Sequence, residues 1–398
     1  MYKYRCEKKY KMNLELPEFN ERYSRLLKSN KKNVIYIKDV FDNSTFRYRT
    51  YNVLETMEDS KKYTVSTFLV EELKYLIDIL NRIDIVILQR AKWSFELENF
   101  INLLKINKII IIYDMDDMIY NTKYVPEYLN SIGDYRDFVI DSFFSLAERY
   151  EKIINECDGV IVTTNNLKIK MEEDLKKPVW KLNNYLNKEQ IDASKNVIKL
   201  KSKRKSYDDE MFVIGYFSGS NSHVRDLEVA ESGILKLMEK YDDVYLNIVG
   251  YMDLSDQFKE MMIKNRIIFS KFVSYEKLQY EIGKVDLNII PLQKHDFNEC
   301  KSELKYFEAS IVNTLTLATN NKVYSELIED GVDGFLSDEL SWFEKLEYIY
   351  LNYEKLGDIV ERANEKCHKL YDYDKQLKKI ENVYDDILLK LGDKCEKK

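Results

Sequence analysis

The chain has 398 residues, with 62 Lys plus Arg against 69 Asp plus Glu and a net charge of -7. This length suits two full-sized domains without disulfide staples, and so few turn residues (11 Gly, 4 Pro) exclude a loop-rich β-sandwich or a disordered chain. The mild acidity excludes a dedicated nucleic-acid binder, which needs a basic face to displace counterions.

In chain order, the first half alternates short Ile/Val-rich runs with longer helical patterns. Asn33–Lys38, Asp84–Leu88, Lys108–Tyr113 and Gly159–Thr163 read as buried strands. Helical spacing covers Tyr51–Glu58, Val70–Arg82, Ser94–Leu104, Tyr135–Asn155 and Asn165–Leu175. Continuous rather than alternating apolar strands indicate a parallel sheet covered on both faces, hence a doubly wound α/β unit. Lys199–Ser206 is basic and reads as a solvated linker.

The alternation then restarts. Met211–Phe217, Val244–Val249, Arg266–Phe269, Asp286–Ile290, Thr314–Ala318 and Asp333–Leu336 read as strands. Val224–Lys240 and Ser255–Lys264 read as helices, and Leu340–Leu391 is almost wholly helical. The expected division is residues 1–199, residues 207–372 and a terminal helical segment, 373–398.

Cys6, Cys157, Cys300, Cys367 and Cys395 show no CxxC spacing, and only His223, His295 and His368 are present. Neither a disulfide framework nor a His-rich metal centre is expected. Met1–Tyr10 is charged, and the longest apolar run, near Ile109–Tyr113, is far short of the ~20 residues of a membrane helix. The expectation is a cytoplasmic protein, with peripheral docking at the inner face of a membrane left open.

Four stretches carry chemistry. Phe217–His223 joins a strand to a helix, and its small residues let backbone N–H groups approach an anion; an ordinary capped turn is the alternative. In Phe297–Ala309, Lys301 and Lys305 share a helix face with Glu308 nearby. Two cations there can hold a diphosphate and the carboxylate can accept ribose hydroxyls; a solvated charged face is the alternative. The position beyond a strand end favours binding, because open α/β sheets bind ligands there. Asp114, Asp116 and Asp117 follow a strand and suit either a divalent cation or a helix N-terminus. Arg47 and Arg49 can meet a phosphate or sugar across a cleft, or pair with nearby acids.

Taken together, the second half resembles the donor domain of retaining GT-B glycosyltransferases of the family 4 type, across roughly residues 212–372. The resemblance rests on Ile214–Ser220, His223 with Asp226, and Asn247–Gly250. It continues through Asp286–Leu292, Phe297-Asn298, Lys301-Ser302, Lys305, Glu308-Ala309, Gly331–Leu336 and Trp342. It implies an α/β protein of two Rossmann-like doubly wound domains facing a cleft, with the C-terminal helix crossing back onto the first. The first domain would bind the acceptor, the second a nucleotide-sugar.

By this resemblance Ser218, Gly219, Ser220, His223, Lys301, Ser302 and Lys305 belong to the donor site, and Glu308 contacts the ribose. Arg47, Arg49, Asp114, Asp116 and Asp117 become acceptor-side or cleft residues, with no metal and no cofactor beyond the donor. The implied reaction is sugar transfer to a glycan or lipid-linked saccharide with retention, in cell-surface polysaccharide or glycoconjugate synthesis. One departure stands out: the family's first glutamate, eight positions before Glu308, is Cys300, with Glu299 as a neighbouring substitute. A degenerate GT-B protein that binds nucleotide or glycan as a partner subunit, and a metal-dependent transferase using Asp114 and Asp116, are the alternatives.

Overall fold

The computed structural model describes residues 16–41, 44–204, 211–219, 225–250, 252–270 and 272–396. Apolar runs too short for helices become the strands of two parallel sheets. The first contains β1 (Lys32–Lys38), β2 (Tyr63–Leu69), β3 (Ile85–Gln89), β4 (Ile110–Met115), β5 (Gly159–Val162) and β6 (Val179–Lys181), in the order β2-β1-β3-β4-β5-β6. The second contains β7 (Phe212–Ser218), β8 (Val244–Gly250), β9 (Ile267–Ser270), β10 (Leu287–Ile290), β11 (Leu315–Thr319) and β12 (Phe335–Ser337), ordered β12-β11-β10-β7-β8-β9. Every named pair is parallel, as the continuous apolar runs require.

An aspartate just before a strand pins a neighbouring strand in three places. Asp84 accepts from Asn33 N at 2.7 Å, Asp158 from Ile111 N at 2.9 Å and Asp286 from Val213 N at 2.8 Å. The order in which successive strands are added reverses between β1 and β3 in the first sheet and between β7 and β10 in the second. These switch points are where a doubly wound sheet opens a crevice at its strand C-termini.

Several local readings change. β2 and the three-residue β6 were not anticipated: Thr64, Ser66 and Thr67 dilute the apolar run of β2, yet all three are buried. Val70–Arg82 forms two 3-10 stretches, Val70–Tyr75 and Ile77–Arg82, rather than one α-helix. The expected linker is helical through Arg204, in Lys188–Arg204. Its Val197 packs on Gly283, and Lys201 Nζ donates to Asn313 O at 2.7 Å and Val285 O at 3.2 Å. Lys199 is exposed while Lys201 is an anchor, so the stretch continues a helix seated on the second half rather than forming a free linker.

The last helix, Leu377–Glu396, lies on the first sheet. Tyr384 meets Tyr36 hydroxyl to hydroxyl at 2.9 Å, and Asp385 accepts from Tyr63 at 2.6 Å and Lys62 at 2.7 Å. Trp180 donates to Asp386 at 2.6 Å. One hydrophobic cluster therefore contains Val34, Tyr36 and Ile87 from the first half, Val213 and Phe307 from the second, and Tyr384 from the return helix. Two doubly wound α/β units joined by a returning C-terminal helix form the GT-B architecture.

Candidate active site

The two switch points face each other. From the second half, β7 ends at buried Ser218, and exposed Gly219 follows, with nothing among the described residues within 4 Å of where its Cβ would lie. Ser218 and Gly250 are register partners, and a Cβ on Gly250 would lie 1.7 Å from Ser218 O at φ +122°. Only glycine lets the ends of β7 and β8 approach this closely. Ser220 and His223 lie outside the described residues.

Beyond β10, the chain turns through Pro291 into the short helices Asp296–Glu299 and Leu304–Ser310. Asp226, fully buried, organises this turn: it accepts from Gln293 N at 3.1 Å and Asn298 Nδ2 at 3.0 Å, and Lys301 Nζ lies 3.6 Å from it. Lys301 also covers the Phe297 ring at 5.0 Å. Burial lowers the pKa of Lys301, opposed by Asp226 and Asp117.

Lys301 lies in the turn between these two helices and Lys305 in the first turn of the second, so the expected shared helix face is not formed; the bend of the chain brings the two lysines together instead. The Lys305 ammonium is buried with no hydrogen-bond partner among the described residues, and it lies over the Tyr216 ring at 5.2 Å. Burial brings its pKa down to about 8, with Asp226 and Glu308 opposing and Lys301 adding to the fall. An unpartnered buried cation is costly unless an anion completes it. Glu308 is buried too, and burial raises its pKa against the pull of Tyr48, Arg47 and Lys305.

The first half supplies a second charged group. Arg49 holds Asp114 in a fully buried fork, Nε to Oδ1 at 2.9 Å and Nη2 to Oδ2 at 2.7 Å, and also donates to Leu182 O. Arg90, at φ +46° just after β3, pairs with Asp116 at 2.5 Å and Asp117 at 3.3 Å. Lys38, at the end of β1, donates to Gln89 at the end of β3, and burial brings its pKa down to about 7. Asp117 is within electrostatic reach of Lys301, so the charged groups of the two halves form one continuous set.

Contacts across the junction fix this arrangement. Thr164 donates to Cys300 O at 3.0 Å, Asn166 to Glu299 O at 2.8 Å, Asn183 to Glu303 at 2.8 Å and Asn184 to Ser302 Oγ at 3.1 Å. Phe297 N donates to Glu127 at 3.1 Å, and the Phe297 ring meets Tyr128 edge-on.

Lys301, Lys305 and Glu308 are thus brought together, with Arg47 joined to Glu308 through Tyr48. Asp114 is sealed beneath Arg49. Glu299 turns away: its carboxylate accepts from Lys322 N at 2.7 Å, at the start of the Lys322–Leu327 helix. Cys300 is packed in the first half's core, its thiol pushed up to about 12 by burial. Sequence reading missed Tyr48, Gln190, Lys38, Gln89 and Arg90. Position just after or at the end of a strand could have flagged the last three; nothing local marks Tyr48 or Gln190.

The fold and this facing pair of switch points define a GT-B architecture. Residues 199–366 match the family "Glycosyl transferases group 1". Among solved structures, the fold is similar to a glycosyltransferase from Rickettsia africae (TM-score 0.64, 15% identity, covering 90% of this chain and 99% of that one). It is similar also to Anabaena HepE in complex with UDP and glucose (TM-score 0.61, 12% identity, 89% and 100%). Sucrose-phosphate synthase from Thermosynechococcus elongatus is a third (TM-score 0.60, 11% identity, 90% and 100%). No curated protein matches the sequence.

Proposed function

We propose that the chain transfers a sugar from a nucleotide-sugar to a glycan or lipid-linked saccharide, with retention of configuration, in cell-surface polysaccharide or glycoconjugate synthesis. The carrying observation is Lys305: a buried ammonium with no hydrogen-bond partner among the described residues, beside Lys301 and Glu308, at the switch point of the half that matches the group 1 glycosyltransferase family. A diphosphate supplies the anion this site lacks. Similar structures have been solved with UDP and with UDP-glucose, which supports a nucleotide-sugar donor.

In this reading Lys301 and Lys305 neutralise the charge that grows on the departing diphosphate, an effect strengthened by a water-poor cleft. Ser218 and Gly219 bring backbone toward the same group, and Glu308 takes the ribose hydroxyls. A cavity of about 430 Å³ opens between the halves, lined by Tyr135 from the first and by Glu228, Glu231 and Asp253 from the second. A ring and several carboxylates suit the faces and hydroxyls of a saccharide acceptor.

The metal-dependent alternative fares less well, because Arg49 and Arg90 already hold the Asp114 and Asp116 carboxylates. Full activity in excess chelator is the expected result. The test of the reading is a screen of nucleotide-sugars for nucleoside diphosphate release with saccharide acceptors, followed by NMR of the product anomer. Release that requires acceptor, with the donor's anomeric configuration kept, supports it. Binding without turnover across the screen would favour the degenerate binder, for which the apolar packing of Cys300 in place of a glutamate is the structural argument.

A further inference from the structure

The carboxylate of Glu308 is reached from the opposite half of the molecule. Tyr48 donates its phenolic proton to Glu308 Oε1. Two N–H donors converge on the same phenolic oxygen: Arg47 Nη2 at 3.1 Å and Gln190 Nε2 at 2.9 Å. A phenol oxygen has one proton and two lone pairs. Arg47 and Gln190 fill the lone pairs, so the proton has one direction left, toward Glu308.

Each member is itself held. The amide of Gln190 is oriented because its Oε1 accepts from Asn187 N at 3.2 Å, which turns Nε2 to the phenol. The Tyr48 ring packs edge-on against Phe307, next to Glu308, with centroids 6.3 Å apart. Arg47 to Tyr51 is a π-helical turn, a wide form that recurs at functional positions. Arg47, Tyr48, Gln190 and Glu308 are 2%, 3%, 2% and 6% exposed, so water does not compete for these bonds.

We propose that Tyr48 is a positioning residue for nucleoside recognition. It fixes Glu308 so that the remaining carboxylate capacity accepts the ribose hydroxyls, and donor recognition is completed by a residue of the acceptor half. This rests on the reading of Glu308 as the ribose contact.

The test compares UDP with 2′,3′-dideoxy-UDP by titration calorimetry, with the GDP and ADP pairs alongside, on wild type and Tyr48→Phe. Wild type should prefer the ribose form by about tenfold or more, the usual scale for hydroxyls bonded to a charged group. Tyr48→Phe should cut that preference to about two- or threefold by weakening the ribose form alone. Equal weakening of both ligands would make Tyr48 a mere latch and overturn the proposal, as would an undiminished preference. No ribose preference in wild type would overturn the Glu308 assignment and, with it, this proposal. Gln190→Leu keeps the phenol but frees its proton to rotate, and should show a smaller loss in the same direction; it carries the test if Tyr48→Phe does not fold.

Discussion

Lys305→Met removes a charge while keeping most of the side-chain volume. In the free protein the Lys305 ammonium sits in a buried site with no hydrogen-bond partner among the described residues, its pKa brought from 10.5 to about 8. At ~1.36 kcal/mol per pH unit, that is roughly 3 kcal/mol against the charged form at neutral pH. The Tyr216 face returns part of this, since cation–π contacts are worth about 0.5–2 kcal/mol. The ligand-free variant should therefore be about 1–3 kcal/mol more stable at pH 7, raising Tm by about 2–6 °C. The sign fixes the pH window. Below pH 8 the lysine is protonated in both states and its destabilisation is complete. Between pH 8 and 10.5 the folded state sheds the proton first, so wild-type stability rises with pH and the variant's advantage fades. Differential scanning calorimetry from pH 6.5 to 10 reads both effects. A variant that melts below wild type at pH 7, or an advantage unchanged by pH, would refute the reasoning.

Other expectations follow from the same geometry. Asp114→Asn leaves the Arg49 guanidinium buried without its counter-charge and should cost about 3–5 kcal/mol in urea unfolding; a loss under 1 kcal/mol would contradict the buried pair. Gly250→Ala forces a Cβ against Ser218 O and should both lower Tm and weaken nucleoside diphosphate binding. Gly219→Ala meets nothing within 4 Å among the described residues and should leave Tm within a degree or two; comparable losses at the two sites would contradict the close approach of β7 and β8.

How much of this was legible differs by residue. β1, β4 and β10 announce themselves as Ile/Val runs because both sheet faces are buried, and the position beyond β10 alone singles out Lys301 and Lys305. β2 hid because its Thr and Ser hydroxyls are satisfied only in the folded state, as when Thr67 donates to Tyr36 O at 3.1 Å. Asp114 read equally as a metal ligand or a helix-end acid; its actual partner, Arg49, lies 65 positions away, and no local pattern encodes such a pair. Tyr48 and Glu308 are 260 positions apart, and their bond exists only once the two sheets face each other. The lysine-rich end of the Lys188–Arg204 helix looked like a linker because its anchors, such as Val285 O and Asn313 O, come from distant loops.

The central claim is that the cluster of Lys301, Lys305 and Glu308 receives a nucleoside diphosphate. The direct measurement is a thermal-shift panel of UDP, GDP, ADP and their sugars on wild type and Lys305→Met. The account predicts that one base series stabilises wild type, by about 2.7 kcal/mol at 100 times its dissociation constant, and that Lys305→Met loses most of that gain while melting higher without ligand. No stabilisation by any nucleotide, or an equal gain in the variant, would contradict it.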